Sequence, residues 1–206
     1  MMGHETGLLG RFEPSPTDLD LFSPALEPRP TWRPFTLGRH SRDVPEKHGR
    51  DDWKVYEEVA ALGGESMVLG GACMAGAFPG IKGMQLLKAR STGIPDFLRG
   101  LDAYFYRTST WIEPWGRVVV EAMACGLPVL VHSAGGYAQA IKHEVNGLLF
   151  NTSDEAARLV RRLVDEPGLR QRLGEEARRS VCELLSSSEI KRVIAFYLLD
   201  EHKPIS

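Results

Sequence analysis

The chain has little cysteine and no long apolar run, and these two shortages exclude several classes of protein. Its cysteines, Cys73, Cys125 and Cys182, form no Cys-x-x-Cys pair, so neither a zinc site nor a disulfide framework is indicated. No segment approaches the ~20 apolar residues of a membrane-spanning helix, and the amino terminus lacks the regions of a secretory signal. The net charge of −2 gives no reason to expect nucleic acid as a partner. We therefore expect a cytoplasmic protein with reduced cysteines and no transmembrane segment.

A proline-rich amino-terminal segment differs from the rest of the chain. Residues 1–33 contain few periodic apolar positions and no plausible helix, and their prolines include Pro14, Pro16 and Pro24. This composition is typical of an extended arm or the remnant of an interdomain linker. The remaining residues, 34–206, suffice for one domain with a substantial core. We assign them to a single domain that ends in a terminal helix and tail at 187–206.

Short strands alternate with helices from residue 34 onward. The pattern predicts strands near 35–37, 67–69, 84–87, 103–106, 128–131 and 148–150. It predicts helices near 51–62, 94–100, 117–125, 137–143, 154–165, 168–185 and 187–199, and the Gly- and Ala-rich stretch 70–83 has no clear assignment. Such alternation indicates an α/β fold, a Rossmann-like open parallel sheet with helices on both faces.

The stretch 113–131 is the most informative part of the sequence. A turn at 115–117 opens a helix near 117–125, so that unpaired backbone N–H groups and the positive end of the helix dipole face any anion beyond the junction. Glu113 lies at the mouth of this junction and Glu121 about one turn into the helix. Carboxylates beside an anion site suit hydroxyl groups. The pattern indicates a pocket for a nucleotide sugar, with the diphosphate in the middle and sugar hydroxyls at both ends.

This carboxylate pair closely resembles the Glu-x7-Glu motif of retaining glycosyltransferases with the two-domain GT-B architecture, especially the large family 4. In that family the first Glu meets the donor hexose and the second meets the nucleotide ribose, and the resemblance gives those roles to Glu113 and Glu121. It also places Trp115, Gly116 and Arg117 at the donor site. The alternative is a solvated loop Glu and a helix Glu paired with Arg117. The Gly-Leu-Pro-Val that follows, and two adjacent glycines after it, favour the motif.

Two further stretches resemble the family's diphosphate-binding loops. Gly38 and Arg39 follow the first predicted strand and Lys47 comes later, and in the family an Arg after Gly and a subsequent Lys hold the donor diphosphate. Two cations there would neutralise the charge that builds as the sugar–phosphate bond breaks. Gly135 and Gly136 match the family's Gly-Gly loop, where glycine lets the backbone approach a ligand.

These residues are expected to gather at one edge of the sheet, because open parallel sheets bind ligands beyond the carboxyl ends of their strands. Lys88 follows the third predicted strand, and with Ile94 it is expected to border the base. Arg42 and His48 are nearby substitutes for Lys47.

Two features limit what the resemblance carries over. Gln139 stands where family members usually have Glu, so it can form hydrogen bonds but supplies no charge. The Asp-x-Asp at Asp18 and Asp20 lies in the proline-rich arm, away from the predicted strand ends, and we expect neither a metal site nor a cofactor.

The resemblance runs from about residue 34 to residue 185 and covers one half of a GT-B enzyme, the carboxyl-terminal donor domain. It implies retaining, metal-independent hexosyl transfer from a nucleoside-diphosphate sugar. It also implies donor binding with little transfer by this chain alone, because the amino-terminal acceptor domain is missing. The partners expected are the nucleotide-sugar donor and a separate acceptor-domain chain.

Two other functions stay open at this stage. A non-catalytic assembly or regulatory subunit would use the apolar stripe of the terminal helix, with Ile190, Val193 and Ile194, to form a homo-oligomer or bind a partner. A GT-B epimerase shares the fold and the donor. A nicotinamide enzyme is disfavoured, because the first strand ends without the Gly-x-Gly-x-x-Gly turn that a dinucleotide needs.

Overall fold

The computed structural model describes residues 17–27, 30, 32–78, 80–110, 112–186 and 188. Their core is a six-stranded sheet in which every strand is parallel to its neighbours. The strands are β1 (Thr36–His40), β2 (Glu65–Leu69), β3 (Met84–Leu87), β4 (Ala103–Tyr106), β5 (Val129–His132) and β6 (Leu148–Phe150), in the spatial order β3-β2-β1-β4-β5-β6. The order reverses between β1 and β4, and that point is where open α/β sheets form a ligand crevice.

Five α-helices cover the sheet within the described residues. They are α1 (Trp53–Ala61), α2 (Ile94–Arg99), α3 (Arg117–Ala124), α4 (Ser153–Asp165) and α5 (Pro167–Leu184). Helices α1 and α4 pack over one face, where their apolar residues meet the strand residues Leu37, Phe105 and Leu148. Helices α2, α3 and α5 pack over the other face, against strand residues that include Tyr104 and Val131. This arrangement confirms the predicted Rossmann-like fold with helices on both faces.

Strands β3, β4 and β6 coincide with their predicted positions, and two other predictions need correction. The first strand was predicted to end at Leu37 and in fact continues to His40, because its pairing with β2 continues to Leu69. The helix predicted near 137–143 is a shorter 3-10 helix, Gly136–Ala140, which ends in extended backbone at Ile141. The unassigned stretch 70–83 holds a 3-10 helix at Ala72–Met74.

The part of the arm that the structure describes lies against the domain. Residues 17–27 contain no helix or strand, and Phe22 packs on the core cluster beneath α2, α3 and α5. Arg99 and Arg178 donate hydrogen bonds to arm carbonyls, at 2.8 Å to Leu21 and 2.8 Å to Phe22. The terminal helix predicted near 187–199 lies outside the described residues, apart from position 188. No helix among the described residues is both long and apolar enough to cross a membrane.

Candidate functional site

Two adjoining clefts lie at the carboxyl edge of the sheet, beside the switch between β1 and β4. The outer cleft is about 300 Å³ and the inner cleft about 220 Å³. Both are lined by Ser41, Arg42, Arg117 and Val118, so they share a wall that carries two cations, and we call the two clefts together the groove. The first turn of α3 supplies part of this shared wall, as the sequence predicted for an anion site.

Glu113 and Lys47 lie together in the outer cleft. The Lys47 ammonium forms an ion pair with Glu113 Oε2, and Tyr106 donates a hydrogen bond of 3.1 Å to the same oxygen. Burial raises the pKa of the Tyr106 hydroxyl far above its ordinary range, so it stays a donor. Trp115 completes this wall and is about half exposed. The outer cleft therefore presents an oriented carboxylate with room beside it for a polar ligand.

Glu121 lies in the inner cleft and is held on both of its oxygens. His40 Nε2 lies 2.8 Å from Glu121 Oε2, and Arg117 Nε lies 3.3 Å from Oε1. The rest of this cleft is more apolar, with Leu69, Ala89 and Ile94 among its lining residues. The inner cleft thus combines the Glu121 carboxylate with an apolar wall and with Arg42, Arg90 and Arg117.

Arg39 does not reach either cleft, and its predicted contact with phosphate is revised. Its side chain is fully buried and forms an ion pair of 3.2 Å with Asp52, which is also fully buried. It donates a further hydrogen bond to the main-chain carbonyl of Lys47, and its guanidinium stacks 5.0 Å above the ring of Tyr106. Arg107 binds the other oxygen of Asp52 at 2.6 Å. We name Arg39, Asp52 and Arg107 the buried cluster.

The burial of Arg39 follows from the extra length of β1. Side chains alternate between the two faces of a strand, so Leu37 and Arg39 point towards α1, while Gly38 and His40 face α2 and α3. Gly38 likewise belongs to the strand interior, where an added Cβ would lie 2.4 Å from Leu101. The cations that line both clefts are Arg117 and Arg42, of which the sequence suggested Arg42 only as a substitute for Lys47.

The Gly135–Gly136 turn packs against the loop that carries Glu113. The Gly136 N–H donates a hydrogen bond of 2.8 Å to the Glu113 carbonyl, and a Cβ on Gly136 would lie 1.8 Å from the Pro114 carbonyl oxygen. Only glycine therefore fits at position 136. Gly135 lines a separate cavity of about 100 Å³ with Thr108 and His132.

Of the remaining predicted residues, Gly116 lies beside the clefts and Lys88 does not line them. Gly116 begins α3 with a left-handed φ of 60° and packs on the Tyr137 ring, between cleft residues Trp115 and Arg117. Lys88 is exposed and lines neither cleft, although the next two residues line the inner one. His40 was not predicted as a site residue. Among the described residues, no group of His, Cys, Asp and Glu could hold a metal ion.

A family model described as "Glycosyl transferases group 1" matches residues 72–180, more than half of the chain. A D-inositol 3-phosphate glycosyltransferase of Salinispora arenicola is 36% identical over 87 residues, which are 41% of this chain and 19% of that protein. An uncharacterised glycosyltransferase of Methanocaldococcus jannaschii is 40% identical over 82 residues, 39% of this chain and 21% of that protein. The matches to these curated relatives thus span about a fifth of their length.

Solved structures share the fold over most of this chain. Anabaena HepE in complex with UDP and glucose has a TM-score of 0.70 at 22% identity, and the match covers 89% of this chain and 55% of that one. The carboxyl-terminal domain of LpcC, a glycosyl transferase group 1 family protein of Francisella tularensis, has a TM-score of 0.64 at 19% identity. That match covers 82% of this chain and 97% of the LpcC domain. The chain therefore shares the fold of about half of the HepE chain and of nearly all of the LpcC carboxyl-terminal domain.

Proposed function

This chain belongs to the group 1 glycosyl transferases, and from that premise we propose that it is the domain that binds the nucleoside-diphosphate sugar donor for retaining, metal-independent hexosyl transfer. The observation that carries the proposal is that Glu113 lines one cleft of the groove and Glu121 lines the other, while Arg42 and Arg117 belong to the wall that the two clefts share. A nucleotide sugar has hydroxyl groups at both ends and a diphosphate in the middle, in the same order.

Charge supports this placement of the donor. The diphosphate would lie at the middle of the groove, where Arg42 and Arg117 line both clefts and Lys47 lies close by in the outer one. Cations at this point would stabilise the negative charge that grows on the leaving group. The protein thus carries its own positive groups for that task.

The two carboxylates would orient the donor. Glu121 would accept hydrogen bonds from the ribose and Glu113 from the hexose. In the proposed retaining reaction, the bond from the sugar C1 to the diphosphate oxygen breaks, and the acceptor oxygen bonds to C1 on the same face. The acceptor's proton passes to the departing diphosphate, so neither carboxylate has to act as a covalent nucleophile.

We also propose that transfer requires a second, acceptor-binding domain. Ile112 and Trp115 support this idea, because these large apolar side chains flank Glu113 and are 68% and 46% exposed. A surface that closes over the groove would cover them and exclude water from the reacting bond.

Calorimetric titration of the purified chain with UDP, GDP and ADP tests the donor site. We expect saturable binding of one nucleotide, and Glu121→Ala should weaken it at least tenfold, because a charged acceptor of hydrogen bonds is lost. Asp154→Ala is the control, since Asp154 belongs to an exposed ion pair with Lys54 and lines neither cleft. Binding of none of the three nucleotides would contradict the proposal, and efficient sugar transfer by the isolated chain would contradict the need for a second domain.

A further inference from the structure

His40 is a buried polar side chain beside Glu121 that the proposed donor chemistry does not use. It is 3% exposed and ends β1 on the face towards α2 and α3. The rings of Tyr104 and Phe97 meet the imidazole edge to face, with centroids 5.5 and 6.4 Å away. Tyr104 also donates a hydrogen bond of 3.2 Å to the His40 carbonyl. The imidazole is therefore fixed in orientation by its surroundings.

The hydrogen bond to Glu121 determines which ring nitrogen carries a hydrogen. An ionised carboxylate can only accept, so the 2.8 Å contact requires an N–H at His40 Nε2. Nδ1 is buried and has no hydrogen-bond partner among the described residues. The polar edge of His40 is thus directed at Glu121 alone.

Glu121 has a second partner, but that partner is not fixed. The Arg117 side chain is 67% exposed, whereas the side chain of His40 is 4% exposed. An exposed arginine can rotate away when a ligand arrives, because water replaces its hydrogen bond at little cost. The buried imidazole has no such alternative. Each carboxylate oxygen accepts more than one hydrogen bond, so Glu121 keeps lone pairs for a ligand while His40 holds Oε2.

We propose that His40 is a positioning residue that holds the Glu121 carboxylate so that its remaining lone pairs face the ribose hydroxyls. The proposal rests on the proposed donor site. His40 touches no ligand in this scheme and acts through Glu121. Without the His40 N–H, the Glu121 carboxylate would turn towards Arg117 and its lone pairs would no longer face the ribose hydroxyls.

Three substitutions of His40 distinguish a role in orienting Glu121 from a role in packing the core. In His40→Gln the amide nitrogen stands as many bonds from Cβ as Nε2 does, so the donor to Glu121 is kept. In His40→Asn the amide lies one bond closer to Cβ, at the place of Nδ1, and cannot reach. His40→Leu keeps a buried side chain and removes the donor. Each variant is first compared with the wild type by thermal unfolding, so that its folded fraction is known.

The readout is the ratio of affinities for UDP and for 2′,3′-dideoxy-UDP, which lacks both ribose hydroxyls, measured by calorimetry. We expect the wild type and His40→Gln to prefer UDP about tenfold, the equivalent of one charge-assisted hydrogen bond. We expect His40→Leu and His40→Asn to lose that preference, as Glu121→Ala does, while the affinity for dideoxy-UDP stays within about twofold.

The other results overturn the proposal in distinguishable ways. If His40→Leu still prefers UDP over dideoxy-UDP, or loses affinity equally for both nucleotides, His40 contributes packing only and does not orient the Glu121 carboxylate. If the wild type binds GDP or ADP instead, the same pairs of ribo- and dideoxynucleotides are used. If the wild type binds none of them, the proposed donor site fails and this inference fails with it.

Discussion

Two charged groups in this domain lie close together in the fold and differ in what surrounds them. The buried cluster holds Arg39 and Asp52 fully buried with Arg107 at its edge, and its charges are paired with one another and with main-chain groups, although Arg39 Nε has no hydrogen-bond partner among the described residues. Lys47 and Glu113 form an ion pair that lines a cleft open to ligands. Charges enclosed in the interior keep their partners, and removing one of them is costly, whereas charges that line a cleft can exchange partners with a ligand. The arginine that follows glycine in this sequence is therefore part of the core, whereas Lys47, eight residues later, lines the cleft.

The largest expected effect comes from breaking the buried cluster. Asp52→Ala leaves Arg39 fully buried without its carboxylate, and loss of one partner of a buried pair costs about 3–5 kcal/mol. Urea unfolding of the variant should therefore show a much lower midpoint than that of the wild type.

Asp154→Ala is the matched control for this measurement. It removes the carboxylate of an exposed pair, 3.0 Å from Lys54, and should change the free energy of unfolding by less than about 1 kcal/mol. Equal effects of the two substitutions would mean that the buried cluster is not a source of stability.

A smaller effect is expected from protonating His48, which lies beside the buried cluster. Burial, followed by the charge of Arg39, lowers the pKa of His48 from 6.5 to about 4, and Nε2 contacts the Gly70 carbonyl at 3.0 Å. Between about pH 6.5 and pH 4, His48 is therefore protonated in the unfolded chain and neutral in the folded chain. In that window stability falls as the pH falls, by about 2 kcal/mol between pH 7 and pH 5 for this one group.

His48→Gln isolates that contribution, because glutamine can still donate to Gly70 and does not titrate. Urea unfolding of both proteins at pH 7 and pH 5 should show a smaller loss in the variant. The assignment to His48 is wrong if both proteins lose the same stability.

A still smaller change in stability, together with a loss of binding, is expected for Lys47→Ala. Alanine keeps the main-chain carbonyl that Arg39 binds, and the Tyr106 hydroxyl still donates its hydrogen bond of 3.1 Å to Glu113. We expect a cost in unfolding free energy of about 1 kcal/mol and at least tenfold weaker binding of the nucleotide that the wild type selects. A large loss of stability with unchanged binding would reverse the comparison between the two groups.

Sequence patterns predicted the fold well, because strands buried on both faces read as short apolar runs between helical stretches. Strand β4, Ala103–Tyr106, is fully buried and was placed correctly. The end of β1 could not be predicted, since Gly38, Arg39 and His40 are polar or small and their pairing with β2 depends on contacts distant in sequence. That error of a few residues placed Arg39 outside the strand.

The residues of the candidate site were predicted only in part, because local sequence shows where a residue lies along the chain but not which distant residues it contacts. Lys47 and Glu113 lie in the connections that follow β1 and β4, and Glu121 lies one turn into α3, and local sequence identifies such positions. The partners of these residues could not be predicted, because the contact of His40 with Glu121 joins residues 81 positions apart. Strand alternation offered one signal: once β1 is extended to His40, Arg39 and His40 must face opposite sides of the sheet.

The contact between Gly136 and Pro114 has a consequence for how donor preference can change in related chains. The path of the Glu113 loop is fixed by a neighbour that admits no side chain, so the entropy of ordering this loop is lost during folding and not on binding. In the proposed donor site, a new sugar preference would therefore come from exchanging side chains on a constant backbone, and Ile112 and Trp115, which flank Glu113 and are 68% and 46% exposed, are accessible positions for such exchanges.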